Sequence, residues 1–505
     1  MAFVSALIIH DMYLRAGFFS LGLLLLSRVL GLLRESAQAA AFGSTGMGDA
    51  VIVMFTLPDL LVGILVSGAL AYVLLPVWAQ QSAKKQVAGQ KKIAQALVGG
   101  GLVLGALIWL FRTTAVEALA PGLSGELKIA SANALGWSAV VLPLAMLAAL
   151  WVTRLQHERD FVGMYAGSLI VNLALVVGLL VVAHSAAFSM PALSFLGICL
   201  LIAMLGRLAW LAWRLTHNDR AVAGGNGIDL PPASVWLWAA LSSGLLLVFP
   251  LVARSLASGA GEGGLASFNY AWKLIELPLV LAVQLVASLA FPAITRTEPD
   301  SPARLQSVGL AFLIAWTLAC AAIAVVATFS LPISSLLFGW GRMSNSGLDL
   351  IAHWSAIGVW SLLPQALMAV LLTVMATNQH MRTGVCVMAA GLVLLLLVGL
   401  QWRLSGQHLM WLLNSVFACM VGVLMFLERH SIKGALPVVA GIVPLLVCAG
   451  LVLLKPLLMG LSLTLTLILC VTYAALVIGS AVAASPIFRR MLREKFNRQL
   501  AADSP

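Results

Sequence analysis

The sequence predicts an all-α polytopic membrane protein with about fourteen transmembrane helices, on three observations. Of its 505 residues, 62% are hydrophobic and only 9% are charged, whereas a soluble domain carries about 25% charged residues. The apolar residues fall into runs long enough to cross a bilayer, which takes about 20 residues per helix. The lysines and arginines concentrate in alternate loops between these runs. These observations exclude a soluble protein and a large extramembrane domain.

Each predicted span is an apolar run between charged or Gly-, Pro- and Asn-rich breaks. Most runs are apolar around the whole helical circumference, as a helix surrounded by lipid and other helices must be. A β-barrel, which needs alternating polar and apolar residues, does not fit. The runs lie at 14–33, 50–78, 93–112, 129–153, 163–184, 191–213, 234–258, 265–293, 305–331, 348–377, 383–402, 408–427, 435–454 and 457–485.

The direction of the spans follows from the basic residues. With both termini in the cytoplasm, most of the 29 lysines and arginines fall on the cytoplasmic side, as the positive-inside rule requires. A missed helix would invert every later loop, so an even number of spans is predicted. Membrane orientation and contact with anionic membrane lipids then explain the net charge of +11. We predict no nucleic-acid partner.

The cysteines are predicted to be packing residues, and neither a metal nor another cofactor is predicted. All six stand singly inside apolar runs, without the paired spacing of a metal site or a disulfide framework. The first apolar stretch lacks a small-residue cleavage site, so it is predicted to be a retained span rather than a signal peptide. The cysteines are Cys199, Cys320, Cys386, Cys419, Cys448 and Cys470.

An internal repeat divides the chain. The segments that begin at Trp137 and Trp354 share Trp-Ser-Ala, a later proline and a Gln-His pair, at offsets of 217 to 223 residues. Pro58 and Pro278 lie in a second pair of similar segments. Six spans separate the copies, so the repeat is parallel and predicts two six-helix lobes around a central cavity. The predicted parts are an N-lobe at 1–220, a C-lobe at 221–430, an accessory helix pair at 431–488 and a basic cytoplasmic tail at 489–505.

Seven charged residues within or at the ends of apolar runs form the candidate site. A charge inside the bilayer costs at least about 2.5–3.5 kcal/mol and is usually functional. Arg28 and Arg34 lie six residues apart, on different faces of a straight helix, and Gly31 between them permits a bend that would aim both at one cavity. The full set is Arg28, Arg34, Asp49, Asp59, Arg254, Lys273 and Glu276.

Structural explanations stay open for several of these residues. Arg34 is also explained by snorkelling at the far interface, and Asp49 by hydration there. The i, i+3 pair in span eight is a functional pair or a purely structural salt bridge. Arg254 and Arg207 are the weaker candidates, because snorkelling explains both. The cationic members lie nearer the lobe interiors, so the predicted cavity suits an anion such as phosphate or pyrophosphate.

The stretch from Ser27 to Gln80 resembles the N-terminal signature of the MurJ (MviN) flippases, a family of the multidrug/oligosaccharidyl-lipid/polysaccharide (MOP) exporter superfamily. YAWKLIELP, from Tyr270, resembles the second-lobe counterpart, and the fourteen-span count agrees over the whole chain. The matching elements of the signature follow in the family's order at Ser27–Glu35, Phe42–Gly43, Asp49–Ala50, Leu57–Leu61, Gly68–Ala69 and Pro76.

The resemblance implies a transporter and not an enzyme. Such a flippase moves a polyprenyl-pyrophosphate-linked saccharide, typically lipid II for peptidoglycan, to the periplasmic leaflet of the bacterial inner membrane by alternating access. It implies that Arg28 and Arg34 are cavity cations for the headgroup, that Asp49 is an essential cavity carboxylate and that Lys273 is the second-lobe cation. The last two helices would hold the lipid tail. Coupling to the membrane potential or to a cation gradient is left open.

Departures from the family pattern keep alternatives in view. Val62 and Gly63 stand where the family usually has Arg-Arg, Ser67 stands at a Glu position, and Lys273 replaces an arginine. A flippase for an exopolysaccharide or O-antigen repeat unit is therefore the main alternative. A polytopic glycosyltransferase or polymer ligase would need a larger polar loop, and a drug or cation antiporter a cavity rich in carboxylates. A membrane scaffold would leave Arg28 and Lys273 dispensable.

Overall fold

The computed structural model describes residues 2–184, 191–218, 231–289, 301–402, 406–458 and 460–486, with the single residues 294, 297, 404 and 489. Apart from Arg489, the predicted basic tail lies outside the described residues. Regular structure in the described ranges is helical, without strands. The helices are α1 Ala2–Phe42, α2 Gly46–Ile64, α3 Leu70–Gln80, α4 Ala83–Leu110, α5 Arg112–Leu119, α6 Gly125–His157, α7 Phe161–His184, α8 Ala192–Asn218, α9 Ala233–Ala257, α10 Gly264–Leu289, α11 Pro302–Phe338, α12 Asn345–Gly358, α13 Leu362–Thr377, α14 Met381–Gln401, α15 Gly406–Leu427, α16 Arg429–Ile432, α17 Val438–Leu453 and α18 Leu463–Ala484.

In the described residues, each of the fourteen predicted spans falls on one helix or on two successive helices. Within the described ranges, eleven helices are long and apolar enough to cross a membrane, and α12 and α13 count as one of them because a 3-10 turn joins them. The predicted spans outside those eleven fall on α1, on α10 and on α17, which has 16 residues. The all-helical, multi-pass architecture predicted from the sequence is therefore confirmed.

The chain forms two compact units. Unit 1 is Met1–Ala266 together with Phe338–Ser344, and unit 2 is Ser267–Leu337 together with Asn345–Pro505. Helix α9 belongs to unit 1, and α17 and α18 belong to unit 2. Compactness and sequence repetition are different criteria, so the division into N-lobe, C-lobe, accessory pair and tail stays a prediction.

Helix α6 is the centre of unit 1. It packs against α2, α4 and α8, and its buried Val141 and Ala145 share an apolar core with Met54 of α2 and Leu211 of α8. Small residues allow close approach between helices in a bilayer. Gly105 of α4 is such a residue, because a Cβ there would lie 2.5 Å from the Ala139 carbonyl oxygen of α6.

A proline disrupts the regular hydrogen bonding of α2. Pro58 has no N–H, so the carbonyl of Met54 loses its partner in the helix. The buried Ser138 of α6 donates its hydroxyl to that carbonyl instead. Asp59 follows Pro58 and is exposed. Beyond it the helix passes through a π-helical segment, Leu65–Ala69, into α3. These features position the carboxylate of Asp59 beside an irregular stretch of helix.

The Gln-His segments of the sequence repeat fold into the same turn. Arg159 and Gln379, 220 residues apart, are the described non-glycine residues with positive φ, at 58° and 62°. In the first turn the N–H of Asp160 donates to Leu155 over 2.9 Å, and in the second that of His380 donates to Met375 over 2.8 Å. The repeat found in the sequence is therefore repeated in local structure.

Each of these turns is fixed to the end of a later helix by side chains. Asp160 accepts two hydrogen bonds from Arg214 of α8, at 2.7 and 2.8 Å. In unit 2, Nδ1 of His380 lies 2.8 Å from Glu428, which follows α15. The acidic partner is on the turn in unit 1 and after the helix in unit 2, where the turn supplies an imidazole.

Candidate functional site

Helix α1 carries the first two predicted site residues on different sides. The helix runs without a break through Gly31, and the two arginines contact different neighbours. Arg28 is exposed and lies within electrostatic range of Tyr165 of α7. Ser27 donates a hydrogen bond of 3.3 Å to Ser168 of the same helix, α7. Arg34 points to a different neighbourhood, which is made by α2 and α8.

Arg34 is the centre of a charged cluster in unit 1. Its side chain is largely buried, and Nη2 donates to Glu35 Oε1 at 3.0 Å and to Asp59 Oδ2 at 3.1 Å. Its guanidinium also lies 5.6 Å from the centre of the Phe55 ring, close enough for a cation–π interaction. Glu35 is buried, whereas the Asp59 side chain is 58% exposed. Arg34 therefore makes specific ion-pair contacts inside the protein, which the snorkelling explanation does not require.

Helix α8 adds a second buried guanidinium to this cluster. Arg207 is 8% exposed and packs against α7, where a Cβ built on Gly167 would lie 3.4 Å from its Cγ. Asp59 is the ionic group that acts on it. Among the described residues, Nε of Arg207 finds no hydrogen-bond partner. From the sequence, Arg207 is a weak candidate because it lies near the end of its span. Nothing in the sequence indicates that it lies within electrostatic range of Asp59.

Asp49 lies in the protein interior. It is fully buried, and its carboxylate accepts hydrogen bonds from the backbone N–H groups of Gly263 at 2.9 Å and Ala266 at 2.7 Å, both in unit 1. It thereby caps the first turn of α10. Gly263 is required here, since its φ is +78° and a Cβ would lie 2.2 Å from the Ser44 carbonyl oxygen. Asp49 is not hydrated at an interface, and its role toward a ligand stays a prediction.

The remaining predicted residues lie on α9 and α10. In unit 2, Lys273 and Glu276 form the predicted pair on α10, with Nζ and Oε2 2.9 Å apart, and both side chains are partly exposed. Arg254 occupies the last turn of α9 in unit 1 and is partly buried. In the described parts of the chain no three His, Cys, Asp or Glu residues come together as a metal site would require.

The cluster in unit 1 suits an anion more than a cation. Arg34 contacts the exposed carboxylate of Asp59, Arg207 lies within electrostatic range of it, and Glu35 neutralises part of the charge from within the core. Guanidinium groups stay charged at every physiological pH and offer planar pairs of donors that match phosphoryl oxygens. These donors therefore match the chemistry of a phosphate or diphosphate.

Known proteins resemble this chain over most of its length. A protein of Rhizobium meliloti named "Probable lipid II flippase MurJ" is 26% identical over 351 residues, covering 66% of this chain and 64% of that protein. The match thus spans less than two thirds of that relative's length. "Lipid II flippase MurJ" of Burkholderia cenocepacia is 23% identical over 444 residues, covering 80% of this chain and 81% of that protein.

A solved structure and a family model extend the likeness. The structure "Lipid II flippase MurJ, inward closed conformation" superposes with a TM-score of 0.78 at 15% identity, covering 94% of this chain and 99% of that one. At this identity the superposition shows a shared fold. The model of the family "Lipid II flippase MurJ" matches residues 38–486, which is most of the chain. The chain therefore belongs to the lipid II flippase MurJ family.

Proposed function

We propose that the protein is a flippase that moves lipid II, an undecaprenyl-pyrophosphate-linked saccharide, from the cytoplasmic to the periplasmic leaflet by alternating access. Membership of the family supports this substrate class. The observation in this chain that carries the proposal is Arg34, a guanidinium largely buried among apolar helices with an exposed carboxylate as partner. Keeping a cation in such a place costs free energy. Binding of a diphosphate would be the functional reason for this cost.

The remaining predicted site residues take supporting roles in this proposal. Arg28, which is exposed, and Lys273 would add positive charge for the headgroup, together with Arg254. Glu276 would hold Lys273 in place through their ion pair. Asp49 would act indirectly, by fixing the first turn of α10. The lipid is moved intact, so the activity is transport and no bond is made or broken.

We further propose a location in the bacterial inner membrane with both termini in the cytoplasm. The basic residues of alternate loops support this orientation. Energy would come from the membrane potential or a cation gradient, since one charge moving across 100 mV is worth about 2.3 kcal/mol. An inside-negative potential favours outward movement of an anionic headgroup. Collapsing the potential and the cation gradients separately with ionophores, while export is followed, distinguishes these sources.

Complementation tests the proposal. A bacterial strain in which the resident lipid II flippase can be depleted receives the wild-type chain or the variants Arg28→Ala, Arg34→Ala and Lys273→Ala. We expect the wild type to restore growth and cell shape, and the three variants to fail although they reach the membrane. Arg112→Ala removes a partly exposed charge at the first residue of α5, outside the predicted site, and should rescue like the wild type.

Two results would contradict the proposal. One is failure of a well-expressed wild type in this strain combined with rescue of a strain that lacks the flippase for an exopolysaccharide repeat unit. The other is full rescue by all three variants, because the cationic residues would then have no part in transport.

A further inference from the structure

Arg207 is buried at a cost that its surroundings do not offset. A guanidinium withdrawn from water needs ionic and hydrogen-bond partners for its donors. The described residues give Arg207 one ionic neighbour, Asp59, and leave Nε without an acceptor. Arg214, seven residues later on the same helix, shows the contrasting case, since Asp160 receives its Nε and Nη2 in a bidentate pair. Arg207 is therefore a buried cation with unused hydrogen-bond donors.

Arg34, the ion-pair partner of Asp59, also has unused donors. Its Nη2 is shared between Glu35 and Asp59, and within the described residues its Nε also lacks an acceptor. Two buried guanidinium groups, one in contact with Asp59 and one within its electrostatic range, thus hold unused donors. A group with more acceptor oxygens than one carboxylate would satisfy them better.

Asp59 is the member of the cluster whose contact with Arg34 a ligand could displace most easily. Its side chain is 58% exposed, and one hydrogen bond, at 3.1 Å, ties it to Arg34. It follows Pro58, at a point where α2 has lost a regular backbone hydrogen bond. Glu35, in contrast, is buried and stays with Arg34. Displacement of Asp59 would leave one carboxylate to two guanidinium groups, and hence a net positive site.

We propose that Arg34 and Arg207 form a diphosphate-binding pair, and that Asp59 is an internal counter-ion which the diphosphate of the lipid substrate displaces. The proposal rests on the proposed function and adds Arg207 to its binding residues. Phosphoryl oxygens accept bidentate hydrogen bonds from guanidinium groups, so the ligand replaces one exposed carboxylate contact with several charge-assisted ones. In the empty protein, Asp59 neutralises the pair and lowers the cost of keeping it buried.

The test measures ligand binding to the purified full-length chain in lipid nanodiscs. The probes are undecaprenyl diphosphate and, as the uncharged analogue, undecaprenol. We expect Asp59→Asn to bind the diphosphate about tenfold more tightly than the wild type, because the competing carboxylate is gone. Arg207→Met should bind about tenfold or more weakly. Asp59→Asn with Arg207→Met should lose the gain.

Matched controls come from the ion pair at the end of α8. Arg214→Met and Asp160→Asn make the same chemical changes at an ion pair in which Asp160 already accepts the hydrogen bonds of Arg214. Both variants should bind the diphosphate like the wild type. Asp59→Glu keeps the counter-ion and should not gain affinity. If Asp59→Asn is poorly stable, the rise in Tm on adding the diphosphate is compared instead, and it should exceed that of the wild type.

The outcomes separate the two levels of the proposal. Equal binding of undecaprenyl diphosphate and undecaprenol by the wild type would overturn the proposed function and this inference with it. Selective binding by the wild type, with unchanged affinity in folded Arg207→Met or Asp59→Asn, would overturn the inference alone. Selective binding that Asp59→Asn strengthens and Arg207→Met weakens is the expected result.

Discussion

Asp49 shows at the residue scale how a charge inside an apolar chain can serve the fold. Its carboxylate is fully buried and accepts the N–H groups of Gly263 and Ala266. These groups lie at the start of α10, where a helix has no internal acceptors to offer them. A carboxylate at that place satisfies two donors and interacts favourably with the helix dipole.

Replacement of Asp49 by alanine should destabilise the protein strongly. Two buried N–H groups would lose their acceptor, at a cost of about 2 kcal/mol or more in the free energy of unfolding. Asp49→Asn retains one acceptor and should be intermediate. Thermal unfolding in detergent measures the order of Tm, with the wild type highest and Asp49→Ala lowest. Glu117→Ala, which removes an exposed partner of Lys128, should change Tm little.

An unchanged Tm for Asp49→Ala would remove its capping role. A normal Tm with lost complementation would instead return Asp49 to the binding residues, as the family resemblance implies.

The sequence shows which charges lie inside apolar runs, but it does not show their partners. Arg34 and Asp59 stand out because charges are rare inside apolar runs. The donors that Asp49 binds are backbone groups 214 and 217 residues further along the chain, and a backbone N–H has no signature in a sequence. Arg207 is a weak candidate from sequence, because hydropathy locates the end of a span but not what packs against it.

At the scale of elements, the contact between α4 and α6 depends on a small residue. A Cβ at Gly105 would lie 2.5 Å from the Ala139 carbonyl oxygen, whereas one at Gly100 of the same helix would meet no atom within 4 Å. Gly105→Ala should therefore cost about 1–3 kcal/mol through overpacking. Gly100→Ala should be neutral or slightly stabilising. The Tm of the two variants checks this, and equal values would contradict close packing at Gly105.

The turn that joins α6 to α7 should weaken in acid. Burial raises the pKa of Asp160, but the hydrogen bonds from Arg214 and from the Gly163 N–H outweigh it, so that the pKa lies below its ordinary value. The stability due to this contact is therefore complete above the ordinary pKa, about 3.9, and is lost as the pH falls through the lower folded value. Asp160→Asn removes that dependence.

Thermal unfolding between pH 3 and pH 7 measures the effect. The Tm of Asp160→Asn should be below that of the wild type at pH 7, and the two should converge toward pH 3. A constant difference between them across this range would mean that the ionised carboxylate does not stabilise the turn.

At the scale of the whole molecule, the positions of the apolar helices are the feature that the sequence predicts best. Apolar runs and basic loops are long-range patterns that single substitutions do not blur, and each predicted span falls on one helix or on two successive helices. The weakest member is α17, whose 16 residues rise only about 24 Å, against a hydrocarbon core of about 30 Å. Local thinning of the bilayer accommodates such a short helix at modest cost, so we expect α17 to cross.

Single cysteines in a background free of the six native ones test this topology, because an impermeant maleimide labels them only from the periplasmic side of intact cells. We expect Thr45→Cys, Ser124→Cys and Ser462→Cys to be labelled, and Ser82→Cys and Lys433→Cys to be labelled only after permeabilisation. All five positions are exposed and lie outside or at the ends of the long helices. Lys433 and Ser462 flank α17, so equal accessibility of these two would show that α17 does not cross. Since one missing crossing reverses every later loop, that result would also reverse the predicted side of the C-terminus.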